Sequence, residues 1–355
     1  MENCSLAENA VNRKGWIAFF TKTFCMESNN SQLLFFQHIK TILPDHISFV
    51  DEIADLLSIS NDSAYRRIRG EKPISLDEMQ KLASHYKISI DQFLHLQTDS
   101  YIFSGQLASA GDYVYEQWQE NVLKQLTFVN SFTHKHLYYL AKDIPFMLQF
   151  MVPELSAFKS FLWRRSILHY ENMKGIKFSL KEMVPEYQEM GNKIMQMYLQ
   201  IPTTEIWNIE SINSTIRQIE FYREANMFAT EDDVKQVYAA LLKLINHLEL
   251  QAEYGFKFKV GESPVAGAAP YNLFWNDLVT ADNTLLIELD LKRMTFLNHS
   301  VINFISTTDI TFNTFMNDTI QNLIKRSTQL SKVGEKERYR FFNRLRDKMK
   351  LAARL

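Results

Sequence analysis

Nine residues near the N-terminus concentrate hydrogen-bonding side chains of the kinds that recognise nucleic-acid bases. The run Asn61-Asp-Ser-Ala-Tyr-Arg-Arg-Ile-Arg69 offers a carboxamide, two hydroxyl groups and three guanidinium groups. Base edges in the major groove present patterns of donors and acceptors, and arginine can form two hydrogen bonds with guanine. The inner face of the same predicted helix is small and apolar. The segment therefore predicts a helix that packs on one side and contacts DNA on the other.

Two other spacings could support a different chemistry, and neither is complete. Ser156-Ala-Phe-Lys159 has the spacing of a serine nucleophile and a lysine base, but no Lys-Thr-Gly or Ser-Asp-Asn accompanies it. His134-Lys-His136 could place two imidazoles on one strand, but no cysteine or acidic partner lies nearby to complete a metal site. The phosphate-loop, dinucleotide, nucleophile-elbow and zinc-protease patterns are missing. We therefore expect no catalytic residue, no cofactor and no metal, and a protein that is not an enzyme.

Short helices on both sides must position the nine residues. Apolar residues at helical spacing, separated by regular start and stop signals, predict five short helices between residues 31 and 97. The signals are a proline, two N-cap serines, a glycine and two capping boxes: Pro44, Ser48, Ser60, Gly70, Ser75-Leu-Asp-Glu78 and Ser89-Ile-Asp-Gln92. Five helices in about 65 residues indicate a compact bundle.

Only Ser58-Ile59-Ser60 separates the second predicted helix from the third. A turn of this length makes two helices cross steeply, as in the helix-turn-helix motif, which presents its second helix to the major groove. The segments Glu52–Pro73 and Ser75–Leu94 resemble the Cro/C1-type (Xre-like) helix-turn-helix family. The Tyr-Arg-Arg-Ile-Arg-Gly variant at residues 65–70 is similar to regulators of Bacteroidetes-type bacteria. The resemblance covers about a fifth of the chain and implies a DNA-binding domain.

The resemblance also implies which residues contact DNA. Asn61, Asp62 and Arg66 occupy positions that usually face bases, and Tyr65 is a further base-reading candidate. Four other residues are expected to contact phosphates, which positions the domain without reading sequence: Ser60, Arg67, Arg69 and Lys72. The family's usual apolar position three residues after Ala64 is Arg67 here, and Ile68 stands in its place one residue later. The sequence therefore leaves two rotations of this helix open.

The charge of the chain is unevenly distributed. Its net charge is −2, but residues 325–354 contain eleven Lys and Arg against three acidic residues, which leaves 28 basic and 38 acidic residues elsewhere. An acidic body does not attract DNA through its overall field, so the contact must come from a local patch. Residues 61–72 carry four cations against two carboxylates. This modest excess predicts weak non-specific binding and an affinity that falls steeply with salt.

The rest of the chain predicts further domains and a mainly α protein. We expect an N-terminal extension at residues 1–30, the five-helix DNA-binding domain at 31–97, a linker at 98–111 and a helical sensor or dimerisation region at 112–253. Within the last region, Leu137–Leu140 could form a short strand. A small α+β module at 254–355 would hold strands at 255–260, 271–279, 284–289 and 293–297, with a tight turn at 281–283 between the second and third. A basic helix closes it, and it could contact nucleic acid, lie on an anionic membrane or dock on its own domain.

Together these features predict a cytoplasmic bacterial transcriptional regulator that binds double-stranded DNA as a homodimer. Helix-turn-helix domains fused to a larger module usually belong to regulators whose second part senses an effector or dimerises, so a small-molecule effector stays open. The alternative is a protein-interaction module fused to an enzymatic or ligand-binding domain. Two cysteines indicate a reducing compartment, and no apolar stretch approaches the length of a membrane span.

Overall fold

The computed structural model describes residues 31–43, 47–86, 88–93, 101–105, 114–278, 282–290, 292–300 and 302–353. The chain divides into two compact units, residues 1–99 and 100–355. Three sequence predictions fall on other residues: the extension at 1–30, the stop signal Pro44, and the linker at 98–111 apart from residues 101–105. They lie outside the described residues.

The first unit contains the five predicted helices, here named α1 (Ser31–Ile42), α2 (Phe49–Leu57), α3 (Asn61–Ile68), α4 (Leu76–Tyr86) and α5 (Ile90–Phe93). Each of the first four contributes to one small apolar core, whose buried members include Phe36, Ile39, Ile53, Leu57, Ala64 and Leu82. The helices are too short to be stable alone, because nucleating a helix is unfavourable and only packing compensates for it. The shared core therefore holds α3 in place.

The capping signals are present to different degrees. The Ser60 hydroxyl accepts a hydrogen bond from the Ser63 N–H at 3.3 Å. In the first capping box, Ser75 and Glu78 exchange hydrogen bonds between side chain and backbone at 3.2 and 3.0 Å. Ser48 occupies the N-cap of α2 but forms no side-chain cap bond. The side chain of Gln92, which would close the second box, lies outside the described residues.

The described part of the second unit contains seven α-helices and seven strands. In chain order they are α6 (Tyr115–Asn130), β1 (Lys135–Ala141), α7 (Pro153–Leu162), α8 (Pro185–Tyr198), β2 (Thr203–Trp207), α9 (Asn213–Glu224), α10 (Glu231–Tyr254), β3 (Tyr271–Trp275), β4 (Thr284–Leu289), β5 (Lys292–Asn298), β6 (Phe304–Thr307), α11 (Ile310–Lys325), β7 (Thr328–Gln329) and α12 (Glu335–Ala353). A 3-10 helix at Phe146–Met151 precedes α7, and a π-helical turn at Trp163–Ile167 follows it.

The strands form one mixed sheet in the order β6-β5-β4-β1-β2-β3-β7. Strands β1, β2 and β3 are parallel, and the other neighbours pair antiparallel. The prediction of a mainly α chain with only a small α+β module after residue 254 is therefore wrong, because the sheet includes β1 and β2 from the region at 112–253, where the sequence indicated at most a short strand at Leu137–Leu140. Parallel strands need long crossovers, and the helices of these crossovers dominate the sequence pattern. The tight turn predicted at 281–283 does not join neighbouring strands, since β3 and β4 are not adjacent.

The predicted strand at 255–260 is also wrong. The segment alternates apolar and charged residues, but it is irregular and forms one isolated bridge, at Phe256. Lys257, one of the charged residues of this segment, is buried, and its ammonium donates hydrogen bonds to the Tyr198 carbonyl at 2.6 Å and the Thr203 hydroxyl at 2.9 Å. The charged residue in this alternating segment thus lies at a buried position, where it forms hydrogen bonds.

The sheet separates two apolar layers. One face carries Leu137, Tyr139, Leu285 and Ile287 and packs in the main core with residues of α6, α7, α8, α10 and α12. The other face is smaller, and its buried residues are Leu140, Ile206, Leu286 and, from α11, Ile320. This division follows from the alternation of side chains along a strand.

Residues 101–105, the described part of the expected linker, extend along the edge of the sheet. Ser104 and Ser306 of β6 exchange two backbone hydrogen bonds at 2.8 Å. Tyr101 and Phe103 each place a ring about 5.2 Å from the ring of Phe312. This stretch therefore packs as part of the second unit.

Candidate nucleic-acid interface

The turn between α2 and α3 fixes the start of the candidate recognition helix. Ser58 adopts a left-handed conformation with φ of 55°, and its N–H donates to the Asp55 carbonyl at 3.1 Å. The Ile59 N–H donates to the Ala54 carbonyl at 2.9 Å, and the Ile59 side chain packs against the small core. Because α2 ends and α3 begins within three residues, the pair has helix-turn-helix connectivity.

The four residues expected to read bases all lie on the solvent-exposed side of α3. Asn61, Asp62 and Arg66 are exposed, and Tyr65 retains 48% of its surface. The Asn61 amide donates a hydrogen bond to the Asp51 carboxylate on α2 at 2.7 Å, also at the surface. An exposed amide and guanidinium can exchange these contacts for base edges without unfolding the domain.

Three of the four residues expected to contact phosphates are exposed beside this face. They are Ser60 at the start of α3, and Arg69 and Lys72 just after it. The guanidinium carbon of Arg69 lies 5.5 Å from the centre of the Tyr65 ring. At this distance the cation and the face of the aromatic ring attract each other. The base-reading and phosphate-facing candidates therefore form one continuous surface.

Arg67 is the exception. Only 6% of Arg67 is exposed. It occupies the inward position three residues after Ala64, whereas the other rotation left open by the sequence would have turned Ile68 inward instead. Its guanidinium donates two hydrogen bonds to the Glu78 carboxylate, at 2.7 and 3.0 Å, and a third to the Ser63 carbonyl at 3.2 Å. These bonds engage Arg67 inside the domain, so it does not fit the expected phosphate contact. Its burial selects one of the two rotations left open by the sequence.

Glu78 stabilises this position from the start of α4. The hydrogen bond from Arg67 is the largest cause that lowers the pKa of the Glu78 carboxyl, and burial opposes it. The ionised carboxylate also caps its own helix through the Ser75 N–H. Glu78, the capping-box residue of α4, is thus also the counterion of Arg67 on the candidate recognition helix. The sequence shows an arginine at a position that is usually apolar and a glutamate eleven residues later, but it does not show that the two residues pair.

Gln32 is a positioning residue that the sequence did not single out. Its side-chain amide donates to the carbonyls of Arg67 and Lys72, both at 2.7 Å, and its carbonyl accepts from the Ile74 N–H at 3.0 Å. These three bonds connect α1 to the segment that follows α3. They therefore fix the backbone at Lys72, a phosphate-facing candidate, relative to α1.

The electrostatics of the surface are weaker than the sequence count implies. With Arg67 neutralised by Glu78, the outward cations are Arg66, Arg69 and Lys72, against Asp62 and Glu71. Glu71 lies between two of them, with carboxylate oxygens 4.0 Å from Arg66 and 3.4 Å from Arg69. The outward balance is one positive charge. Attraction to DNA through this patch is therefore short-range and sensitive to salt.

Lys159 and His136, from the two other candidate spacings, form hydrogen bonds within the second unit. The Lys159 ammonium donates to Thr215 at 2.8 Å and to Gln218 at 2.6 Å, and burial lowers its pKa to about 8. His136 lies with Nε2 2.9 Å from the Thr204 hydroxyl, and burial lowers its pKa to about 4. Among the described residues, no group of three His, Cys, Asp or Glu side chains has the arrangement of a metal site.

The basic helix α12 docks on its own unit. Its apolar face is fully or nearly fully buried: Phe341, Phe342, Leu345 and Met349. Its cations find partners within the unit, since Arg338 donates to a backbone carbonyl at 2.9 Å, Arg346 pairs with Glu249 and Lys348 pairs with Glu210 at 2.6 Å. Of the three roles left open by the sequence, intramolecular docking accounts for these contacts.

In the part of the chain that the structure describes, we find no helix with the length and apolar character to cross a membrane. No curated protein matches the chain. No solved structure matches it either.

One family model does match. It is described as the BetR domain and it aligns with residues 45–110, about a fifth of the chain, which include α2, the turn, α3, α4 and α5. The BetR domain is a helix-turn-helix-type DNA-binding domain family. The segment that contains the exposed face of α3 is therefore similar to the BetR domain, and this similarity indicates a DNA-binding regulatory role.

Proposed function

We propose that this protein is a sequence-specific transcriptional regulator of the Cro/C1 (Xre-like) type, in which α3 enters the major groove. The observation that carries the proposal is the division of α3 into two faces. Asn61, Tyr65 and Arg66 point outward, while Ala64 and Arg67 hold the helix against its own domain. A helix exposed in this way can bring amide, hydroxyl and guanidinium groups to base edges.

The same face argues against a protein partner at this position. Protein interfaces are depleted in charge at their centre and contain apolar anchors. The exposed side of α3 instead carries charged and amide side chains, with Tyr65 as its one large aromatic residue. Its composition is therefore closer to that of a base-reading surface.

We further propose that the protein binds as a homodimer and that the second unit supplies dimerisation, effector sensing or both. A two-fold dimer places its recognition helices about 34 Å apart, one turn of DNA, and therefore prefers palindromic sites. The small outward charge of a single domain supports this arrangement, because two domains double the number of phosphate contacts.

Selection of binding sites from a random duplex library with the full-length chain tests the proposal. We expect enrichment of a palindrome whose half-sites are centred about 10 base pairs apart. Sedimentation of the selected complex should give two chains per duplex. A library that shows no enriched sequence after repeated rounds would refute sequence-specific binding.

Two substitutions then separate base reading from phosphate binding. Arg66→Ala should lose about 1–3 kcal/mol of preference for the selected site over random DNA. Lys72→Ala should weaken binding to both DNAs alike and reduce the salt slope by about one. Arg217→Ala and Lys235→Ala remove the same charges from exposed positions of the second unit and should leave binding unchanged. If Arg66→Ala and Lys72→Ala behave identically on both DNAs, the assigned roles are wrong.

A further inference from the structure

The second unit contains a cavity of about 600 Å³ between α6 and one face of the sheet. This volume lies within the range of about 300–1,000 Å³ that small-molecule sites occupy. The wall opposite the sheet is formed by buried residues of α6, namely Trp118, Val122, Leu126 and Val129. Trp118 is fixed by a hydrogen bond from its indole N–H to the Ile302 carbonyl at 2.8 Å. The cavity is therefore bounded by ordered elements.

The floor of the cavity is one face of three adjacent strands. Leu137 on β1 lies opposite Ile287 on β4, which lies opposite Met294 on β5. Leu285 and Phe296 form the next row of the same face. Directly opposed residues in antiparallel strands point to the same side, so these five apolar side chains form a continuous surface.

Six polar residues also line the cavity: Ser104, Asn121, Lys124, Gln125, Asn303 and Ser306. Asn121, Lys124 and Gln125 follow one another on α6 at the edge of the cavity, and the last two are exposed. Among the described residues that line the cavity, Lys124 carries the one charge, and no carboxylate is present. Glu120, one helical turn before Lys124, does not line it. Lys124 forms no ion pair with another described residue.

This combination defines a ligand class. Walls formed on both sides mainly by aliphatic and aromatic side chains disfavour a sugar, a nucleotide or a free polyanion, because most of their polar groups would lose water without gaining partners. A single cation at the mouth matches a single negative charge. We propose that the cavity binds a single-chain amphiphile with a monoanionic headgroup, with the chain inside against the sheet and the headgroup beside Lys124.

The site gives a physical basis for effector sensing by the second unit. That regulatory role rests on the proposed function, whereas ligand binding in the cavity does not depend on it. The amphiphile would contact α6 and the sheet together, so it would stabilise the arrangement of those elements that leaves the cavity open. An effect on DNA affinity requires that this arrangement differ in its affinity for DNA.

Isothermal titration of the full-length chain with dodecanoate, dodecanol and dodecyltrimethylammonium, each below its micelle concentration, tests the site. We expect 1:1 binding of dodecanoate, weaker binding of the neutral alcohol by about fivefold and still weaker binding of the cation. Lengthening the acid from octanoate should tighten binding by at most about fourfold per methylene until the cavity is filled. Absence of dodecanoate binding, or equal binding of all three headgroups, would overturn the proposal.

Two substitutions locate the ligand. Lys124→Gln, at an exposed position, should weaken dodecanoate by about fivefold and leave dodecanol unchanged. Ile287→Phe adds a ring to the cavity floor and should weaken both ligands at least tenfold. Lys235→Gln removes an exposed charge elsewhere in the unit and should have no effect. If Lys124→Gln and Lys235→Gln behave alike, the assignment is wrong.

The same proteins then report on regulation. Affinity for the selected duplex is measured with and without saturating dodecanoate, and a change of at least threefold that Ile287→Phe abolishes supports the effector role. Binding of dodecanoate with unchanged DNA affinity overturns that role. A chain that binds dodecanoate and shows no specific DNA binding refutes the proposed function and leaves the ligand site standing.

Discussion

Replacing Arg67 with leucine tests the origin of the orientation of α3. The substitution supplies the apolar residue usual at this inward position but leaves the Glu78 carboxylate without its partner. The pair is largely shielded, with 8% of the Arg67 side chain and 18% of the Glu78 side chain exposed. Two hydrogen bonds at 2.7 and 3.0 Å join them. Leucine therefore improves the local apolarity and still removes the main stabilising contact of an ionised group.

The expected magnitude follows from these contacts. Removing one partner of a buried ion pair costs about 3–5 kcal/mol. Glu78 is partly exposed and keeps the hydrogen bond from the Ser75 N–H, so we expect Arg67→Leu to reduce the unfolding free energy of the first unit by about 2–3 kcal/mol. Glu78→Gln should cost about 2 kcal/mol, because it leaves Arg67 charged while glutamine can still cap α4.

The double substitution gives the sharper result. Once both charges of the pair are removed, neither position holds a buried charge that lacks a partner, so Arg67→Leu/Glu78→Gln should cost only about 1 kcal/mol, less than either single change. The resulting coupling energy is about 3–4 kcal/mol. Site-resolved hydrogen exchange across residues 61–86 of the full-length chain measures these free energies, and amides of the second unit provide the internal control.

The pH dependence provides an independent check. The folded-state pKa of Glu78 is lowered from its ordinary value of 4.5, mainly by the hydrogen bond from Arg67. Its contribution to stability is therefore fully present above that ordinary value and is lost as the pH falls through the lowered folded-state pKa. The stability difference between the native chain and the double variant should shrink below about pH 4.5. If Arg67→Leu alone is as stable as the native chain at pH 7, the ion pair does not hold α3.

Three other single substitutions have outcomes that one contact or one backbone position decides. Glu71→Gln removes the carboxylate between Arg66 and Arg69 and should raise DNA affinity in 50 mM salt by about threefold, an effect that anisotropy titrations should see vanish at high salt. Glu205→Leu leaves two tyrosines and one tryptophan without the buried carboxylate to which they donate hydrogen bonds at 2.7–2.9 Å. It should lower the unfolding free energy of the second unit, measured with urea, by about 3–5 kcal/mol, and Glu205→Gln should lower it less because glutamine keeps one acceptor. Equal losses for the two variants would mean that packing alone decides the stability at this position. Gly334→Ala places a methyl group 2.6 Å from a backbone carbonyl oxygen at a φ of 76°, and should lower the unfolding free energy by at least about 1 kcal/mol; an unchanged thermal midpoint would contradict this.

The first unit was predictable because its signals are local. An N-cap serine, a capping box and apolar residues at helical spacing act within one or two turns of chain. Ser60, Ser75 and Glu78 therefore gave the starts of α3 and α4 to within one residue. The outward positions of Asn61 and Arg66 were implied by the resemblance to the helix-turn-helix family.

The inward position of Arg67 was not predictable from periodicity, because an arginine at an apolar position has two solutions. Either the helix rotates so that the next residue faces the core, or the arginine stays inward and pairs with a buried counterion. Glu78 provides the counterion from another helix, and Gln32 adds support from a third. Which solution applies depends on contacts between residues far apart in sequence.

The sheet of the second unit was underestimated for a related reason. Strand β2 contains Thr203, Thr204 and Glu205 on a fully buried central strand, and such polar residues do not resemble an apolar core strand. They are tolerated because buried donors such as the Tyr198 hydroxyl satisfy them. Only the assembled structure provides those partners.

Local sequence thus specified the helices of the first unit and the caps at Ser60 and Ser75. Tertiary structure decided the rotation fixed by Arg67, the joining of distant strands into one sheet and the cavity beneath α6. The physical reason is range: caps and helical periodicity act over three or four residues, whereas burial of a charge or of a polar strand becomes favourable only when a distant partner arrives.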